Sequence, residues 1–403
     1  MSLESNMENL VVATNEKVNK HIPIDLAFFV LSKLSVKSLK RFGCVCKSWA
    51  LLFENPHFMN IYRNNFIINS NSYCDDTFLL LQEPPYFREH HVMYLLSGEK
   101  FENIVKIDLP PPFYEDHHDI HILGSISVNG TLCLKQESKF VLWNPITEEF
   151  KVIPPSPIEF EPSYLDLLWD IHGFGYDHVR DDYKLIRKIV YYFPLIESLF
   201  DHLGVEQPWN APYWEIYSMR SNCWKKLDVK LPRYVLKIHC PRLYMDGMCH
   251  WYDANEATMI TESLVSFDFV NEVFITTLIP SYCKNNNPYF ELVHLIVLNG
   301  SVAFISNYAE STAFHISILG ELGVKESWTK LFTVDILPSV ERPIEPKKKD
   351  IIFFERKREG EGLSWFNLNA KILESEELNL KGQMTHCKVA IYKRNLLSHW
   401  KIK

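Results

Sequence analysis

The sequence has no apolar stretch approaching the roughly 18–20 residues that a helix needs to cross a bilayer. Its longest candidates, Leu26 to Leu31 and Leu295 to Leu298, are far too short. It also lacks a basic start followed by an apolar block, and it ends His399-Trp400-Lys401-Ile402-Lys403 without a lipidation motif. The expectation is a soluble chain without membrane contact, addressed to the cytoplasm, the nucleus or both. No C-x-x-C spacing occurs among the nine cysteines, whose odd and scattered tally predicts reduced, mostly buried thiols and no structural zinc. Neither G-x-S-x-G, H-E-x-x-H nor a P-loop occurs anywhere, so the common motifs of hydrolases, zinc peptidases and nucleotide-binding enzymes are missing. The net charge of −8 disfavours a general nucleic-acid binder.

What is present is ample material for a core. The 403 residues are 47% hydrophobic and 14% aromatic, enough for two or three domains or a large one beside a small one. Charge divides the chain unevenly. Residues 19–66 hold seven basic side chains against two acidic ones, a net of +5. Residues 1–18 carry −2, which leaves −11 on residues 67–403. A small basic module precedes a large acidic one, and residues 1–18 read as a flexible tail.

The basic module has helical spacing. Leu26, Val30 and Leu34 recur at intervals of four, and Leu39, Phe42, Cys46, Trp49 and Phe53 at intervals of three and four. Pro23 suits a first helical turn, Ser35 can cap a second helix, and Pro56 ends it. Cys44 and Cys46 lie two apart on such a helix and do not face each other, so they read as core rather than as a metal pair.

From about Asp76 the spacing changes to short alternating runs rich in Val, Ile, Phe, Tyr and Trp, bounded by Asn-Gly, Asp-Gly and Pro turns. One unit recurs, a strand, a polar turn and a second strand. Its equivalent positions are Leu95, Trp143, Tyr217, Phe267, Ile318 and Phe366, separated by 48, 74, 50, 51 and 48 residues. A period near 50 with one insertion is kelch-type propeller spacing and predicts an all-β propeller-like domain of six blades. Thr77-Phe78-Leu79-Leu80-Leu81 reads as the second strand of its blade, so the missing inner strand is assigned to the chain end, residues 388–397, as a closing strand.

Several tempting residues have plainer readings. Gly173-x-Gly175 lacks the third glycine and the following helix of a phosphate loop and reads as a turn between blade strands. Glu115-Asp116-His117-His118-Asp119-Ile120-His121 has metal-capable side chains without a partner cluster and reads as a solvated loop. Asp181 and Asp182 would point to opposite faces of a strand, so they read as hairpin-turn residues rather than an acid/base pair. Lys347-Lys348-Lys349 and Arg356-Lys357-Arg358 are interleaved with acids and read as a solvated patch. No metal or cofactor is expected.

Ile22-Pro23-Ile24-Asp25-Leu26, Leu31-Ser32-Lys33-Leu34, Val36-Lys37-Ser38-Leu39 and Cys44-Val45-Cys46-Lys47-Ser48-Trp49 stand in the order of the F-box of plant F-box proteins, which residues 19–66 resemble. Leu142-Trp143-Asn144-Pro145, Gly173-Phe174-Gly175-Tyr176-Asp177 with Asp182-Tyr183-Lys184-Leu185, Leu298-Asn299-Gly300-Ser301 and Gly323-Val324-Lys325-Glu326-Ser327-Trp328-Thr329-Lys330 resemble the F-box-associated domain of the same family. The last stretch leans toward its S-locus F-box-like branch. The fold class implied is a small all-α F-box module followed by an all-β propeller. The family departs here at Ser35, usually proline, and at Gly43, usually a long basic residue.

The resemblance implies docking to the Skp-type adaptor of a Skp–cullin–F-box ubiquitin ligase, and through it to a cullin. Carried onto matching positions, Ile22, Pro23, Leu26, Leu31, Leu34, Val36, Leu39, Val45, Cys46 and Trp49 form the adaptor-facing surface and the small core behind it. The function implied is a non-catalytic specificity subunit that brings a protein to the ligase for ubiquitination. A propeller interaction module that has lost adaptor binding is the alternative, kept open by Ser35 and Gly43, and an enzymatic propeller is a distant third. For target binding, the long segments 154–170, 194–212 and 280–291 are expected on one rim, with Tyr164, Trp169, Phe200, Trp209, Tyr213 and Tyr289 as contact residues. Glu159, Glu161, Asp166, Glu197, Asp201 and Glu206 among them suggest a target with a basic patch.

Overall fold

The computed structural model describes residues 24–33, 55, 57–58, 61, 77–83, 92–98, 101, 103–113, 120–157, 166–192, 213–228, 242–254, 262–280, 290–298, 300–308, 313–335, 340–348, 351–356, 362–367, 372–377 and 388–393. The chain divides into two compact units, residues 1–66 and residues 67–403.

In the first unit, helix α1 (Ile24–Leu31) has Asp25 in its first turn, where a carboxylate favours the helix dipole. Its end is closed locally. Ser32 N–H bonds to the Phe28 carbonyl, the Ser32 hydroxyl donates to Phe29 O at 2.9 Å, and Lys33 N–H reaches Val30 O. Phe28 packs edge-on against Phe58 with ring centroids 5.2 Å apart. Asn55 Oδ1 accepts from the backbone of His57 and Phe58, so Asn55 starts a helical turn. Leu34, Val36, Leu39, Val45, Cys46 and Trp49 lie outside the described residues, as do Ile22, Pro23 and Ser35.

The second unit has twenty-four strands among its described residues. They are β1 (Thr77–Glu83), β2 (Val92–Ser97), β3 (Asn103–Ile107), β4 (His121–Val128), β5 (Thr131–Gln136), β6 (Lys139–Asn144), β7 (Glu149–Ile153), β8 (Asp166–Asp177), β9 (Asp182–Tyr192), β10 (Tyr213–Ser218), β11 (Cys223–Leu227) and β12 (Leu243–Met245). Then come β13 (Met248–Ala254), β14 (Glu262–Asp268), β15 (Val273–Leu278), β16 (Phe290–Leu298), β17 (Ser301–Tyr308), β18 (Ala313–Leu319), β19 (Trp328–Asp335), β20 (Val340–Lys348), β21 (Ile351–Arg356), β22 (Gly362–Asn367), β23 (Ile372–Glu377) and β24 (Lys388–Lys393). Strands β8–β11, β12–β15, β16–β19 and β20–β23 each form an antiparallel four-stranded sheet, and an eight-stranded sheet runs β3-β2-β1-β24-β4-β5-β6-β7. The architecture is propeller-like. The recurring positions read from the sequence all fall in third strands, in β2, β6, β10, β14, β18 and β22.

Within the eight-stranded sheet, β24 is antiparallel to β1 over six residue pairs from Thr77–Lys393 to Gln82–Lys388, and parallel to β4 through Ile391 and Ile126. Two side-chain anchors fix it. Ser127 Oγ meets both backbone groups of Lys393, and Tyr392 OH donates to Asn144 Oδ1 at 2.9 Å. The same Asn144 oxygen accepts from Ile146 and Thr147 N–H, which sets the turn between β6 and β7. The Trp-Asn-Pro stretch at 143–145 therefore shapes a turn and holds the closing strand.

The core lies between neighbouring sheets. Val128, Cys133, Phe140 and Leu142 of one sheet pack on Phe174, Tyr176, Tyr183, Leu185 and Tyr217 of the next. Ile186, Trp214 and Ile216 then meet Trp251, Val265 and Phe267, and Tyr252 and Leu264 meet Leu295, Phe304 and Trp328. A polar clasp repeats across two of these seams. Trp224 Nε1 on β11 donates to Pro154 O just after β7, and Trp328 Nε1 on β19 donates to Leu278 O at the end of β15. A buried indole N–H needs such an acceptor, and the carbonyl of a strand end supplies one.

Three expectations are corrected. Gly173 and Gly175 stand inside β8, not in a turn, and the turn itself is His178–Asp181. They are glycines because the next sheet comes close: a Cβ at Gly173 would collide with Cys249 Sγ, and one at Gly175 with the Phe269 ring and, at 2.8 Å, with Tyr244. The crossing assigned to 154–170 is also shorter, since β8 already begins at Asp166 and holds Trp169 in register with Ile189. Likewise β16 begins at Phe290, inside the segment assigned to 280–291.

Two outcomes follow. Gly175→Ala is expected to destabilise the protein by about 1–3 kcal/mol, the usual cost of overpacking, read as a lower thermal midpoint; an unchanged midpoint would contradict the close approach. Deleting residues 386–403 exposes the edges of β1 and β4 and is expected to give aggregation in size-exclusion chromatography. A monomeric deletion with the wild-type melting temperature would refute that role of β24.

Candidate interaction surfaces

Helix α1 reads Ile-Asp-Leu-Ala-Phe-Phe-Val-Leu and is apolar nearly all round. Such a helix is normally buried on every side. Here one side is. Phe28, Leu31 and Ser32 are buried, with Phe28 on Phe58, while Leu26, Phe29 and Val30 on the opposite side are 53, 54 and 52% exposed. These three stand at i, i+3 and i+4, so they form one continuous stripe. Lys33, in the turn after α1, places its ammonium 4.0 Å from the centre of the Phe29 ring. Of the sequence-assigned adaptor residues that are described, Leu26 lies on this open face and Leu31 in the core behind it. Phe29 and Val30, not among the residues assigned to the adaptor from the sequence, are exposed beside Leu26.

The second unit has two ends of different character. Antiparallel order brings the short turns at 129–130, 178–181, 219–222, 246–247 and 269–272 to one end, and the connections 154–165 and 193–212 to the other. At the short-turn end, Lys184 is a buried cation with all three ammonium donors used. It bonds Asp177 Oδ2 at 2.9 Å, Glu272 Oε1 at 2.9 Å and Phe269 O at 2.8 Å, and so joins β9 to the turn after β14. Arg180 reinforces the seam, binding Asp177 and the Val270 carbonyl. Burial alone would push the Asp177 and Glu272 carboxyls up, but Lys184, with Arg180 on Asp177 and Lys225 on Glu272, outweighs it and holds both below their ordinary values. Asp177 also accepts from Val179 and Arg180 N–H, while Asp181 takes a positive φ in the turn. The Gly-Phe-Gly-Tyr-Asp and Asp-Tyr-Lys-Leu stretches are thus accounted for as a seam between sheets.

Toward the other end, Arg187 Nε and Nη2 grip Glu215 Oε1, and Ser156 Oγ donates to Glu215 Oε2 at 2.9 Å. The guanidinium lies 4.0 Å over the Trp224 ring. This buried group fixes the residues just after β7 to the β8–β11 sheet. Of the aromatics assigned to a target, Trp169 and Tyr213 sit in β8 and β10 on either side of Ile189, so they belong to the sheet rather than to a loop. Tyr213 is half-buried, with the Lys226 ammonium 4.7 Å from its ring. Tyr164, Phe200, Trp209 and Tyr289 lie outside the described residues, as do Glu159, Glu161, Glu197, Asp201 and Glu206. Among the described residues no group of three or more His, Cys, Asp and Glu side chains could hold a metal ion. No described helix is long and apolar enough to cross a membrane.

Residues 20–60 match the F-box domain, and residues 86–397 match the F-box associated beta propeller domain family. The chain is an F-box protein of that family. Relatives include F-box protein CPR1 of Arabidopsis thaliana, 25% identical over 369 residues and covering 87% of this chain and 83% of its own. Putative F-box only protein 15 of the same plant is 23% identical over 329 residues, covering 80% of this chain and 77% of its own. Among solved structures, an oligogalacturonate lyase in complex with manganese aligns over 75% of this chain and 74% of its own at 10% identity and a TM-score of 0.44. That likeness carries no argument about activity.

Lys184→Met would leave Asp177 and Glu272 short of their shared cation, a loss of about 3–5 kcal/mol for a broken buried pair. Carboxylates with depressed folded values contribute stability above their unfolded pKa and lose it as pH falls. The gap between wild type and variant in urea unfolding is therefore expected to be full at pH 7 and to shrink as pH falls through about 4. A gap independent of pH would contradict the ion-pair account.

Proposed function

We propose that this F-box protein is the substrate-recognition subunit of a Skp–cullin–F-box ubiquitin ligase, non-catalytic itself and without a cofactor. The observation that carries the reading is α1, a helix within the F-box match that buries Phe28 and Leu31 and presents Leu26, Phe29 and Val30 outward. An apolar stripe of this kind favours a groove on a partner, and the Skp-type adaptor is the partner an F-box implies. The cullin follows through the adaptor. The net +5 of residues 19–66 steers the encounter and acts on the association rate.

The β unit is read as a six-bladed propeller that holds the protein to be ubiquitinated. Supporting the count, successive first strands adjoin in a closed series, β4 with β8, β8 with β12, β12 with β16, β16 with β20, β20 with β24 and β24 with β4. Target binding is assigned to the end that carries 154–165 and 193–212, and the acids in those connections favour a target with a basic patch. The ligase's chemistry belongs to other subunits, and this chain contributes proximity, a raised effective concentration of target lysines near the ubiquitin donor. A cytoplasmic or nuclear setting goes with that role.

Capture of a purified Skp-type adaptor by the full chain tests the reading. Wild type is expected to bind, and Leu26→Asp with Phe29→Asp to weaken binding more than tenfold, since both side chains are more than half exposed. Equal capture by the double variant, with an unchanged circular dichroism spectrum, would refute it.

A further inference from the structure

We infer that Lys33 is the specificity-determining charge of the α1 docking face, paired on binding with a carboxylate at the lip of the adaptor groove that receives Phe29. The inference rests on the reading of α1 as the adaptor-docking helix. Leu26, Phe29 and Val30 occupy i, i+3 and i+4 of α1, and Lys33, two residues past its end, brings its cation onto the Phe29 ring of that stripe. Its backbone is fixed by the Lys33 N–H to Val30 O bond, one residue after the Ser32 hydroxyl has taken the Phe29 carbonyl. The ammonium is folded back over the Phe29 ring at 4.0 Å, where the negative face of the ring holds it.

Docking then poses a definite problem. Phe29 is 54% exposed, and burying its ring in an apolar groove strips water from the cation stacked on it. An ammonium does not follow an aromatic ring into a dry pocket without a counter-charge. It stays at the lip of the groove, where a partner carboxylate replaces the lost water while the stacking on Phe29 persists. Asp25 lies at the other end of the helix, so charge along α1 runs from negative to positive. A partner groove with a basic start and an acidic lip at the Lys33 end fits this helix in one orientation only. The apolar stripe supplies affinity, and Lys33 sets direction and excludes grooves whose lip is neutral or basic.

The test uses the full chain, a purified Skp-type adaptor and association and dissociation rates at several salt concentrations. Lys33→Met keeps the bulk of the stem and removes the charge. It is expected to weaken binding about five- to tenfold, with slower association, and to flatten the salt dependence. Lys33→Arg, which can also stack and pair, is expected to restore both. Lys325→Met removes one exposed charge from the β unit and serves as the control for net charge alone, with no effect expected. If Lys33→Met and Lys325→Met match in affinity and in salt response, the inference is overturned and the docking reading stands. If wild type does not bind the adaptor at all, both fall.

Discussion

The β unit depends on one strand pairing made by the last described residues of the chain. Lys388–Lys393 inserts between Thr77–Glu83 and His121–Val128, and without it two strand edges from distant parts of the sequence would face water unpaired. The insertion is held at both ends of the pairing scheme. Six residue pairs tie it to β1, whereas β4 is reached through Ile391 and the Ser127 side chain, and the end of β6 through Asn144. Asn144 is the economical part of this arrangement. One carboxamide oxygen both sets the turn that starts β7 and accepts the Tyr392 hydroxyl, so the β6–β7 turn and the insertion of β24 are coupled through a single atom.

Once closure is made, the seams between sheets decide how rigid each sheet is relative to its neighbours. Apolar side chains fill every described seam, but the third sheet, β8–β11, is also pinned by buried charge on both sides. Lys184 ties it to the fourth sheet, and Glu215 with Arg187 ties it to the residues following β7. Such groups contribute little net stability over an apolar filling, because desolvation offsets most of the attraction, yet they are directional and tolerate only one arrangement. The sheet so fixed is the one whose second and third strands are joined by the long segment 193–212. The Trp328 clasp does the same for the fifth sheet by neutral means, with Gly323 N–H on Thr277 and the Ser327 hydroxyl bonded around the preceding turn. The Gly-Val-Lys-Glu-Ser-Trp stretch is structural in this sense.

How far the sequence could be read depended on whether a signal was local. The third strands were legible because each combines period-two alternation with a large side chain at a fixed place, and Asn129-Gly130 and Asp246-Gly247 announce turns that need positive φ, which both pairs adopt. The glycines at 173 and 175 were misread because glycine signals either a turn or a close approach, and only the neighbouring sheet, with Cys249 and Phe269, distinguishes the two. Trp169 was assigned to a loop for a similar reason. The proline-rich and acidic residues before it mask the start of an unusually long strand, whose register is set by β9 and not by its own composition. In the F-box, the spacing located the helix but could not say which side faces Phe58, so Leu26 and Leu31 stood in one set for surface and core together, and the exposure of Phe29 and Val30 was not legible.

That last ambiguity is itself informative about how the first unit works. A helix with apolar residues on every side conflicts with solvent unless two surfaces cover it, and one surface within the unit, around Phe58, covers only half. The remaining half is a standing cost to the free protein and a gain on complex formation. A partner that binds only the folded helix then stabilises it by mass action, by RT ln(1 + [L]/Kd), or about 2.7 kcal/mol at a hundredfold excess over Kd. The closed β unit obtains its stability internally, through edges paired and seams filled, and the small helical unit leaves part of its own to be supplied from outside. On the proposed reading, the apolar face and the stacked cation of Lys33 follow from that division: an exposed surface that a partner covers links the folding of the module to its assembly.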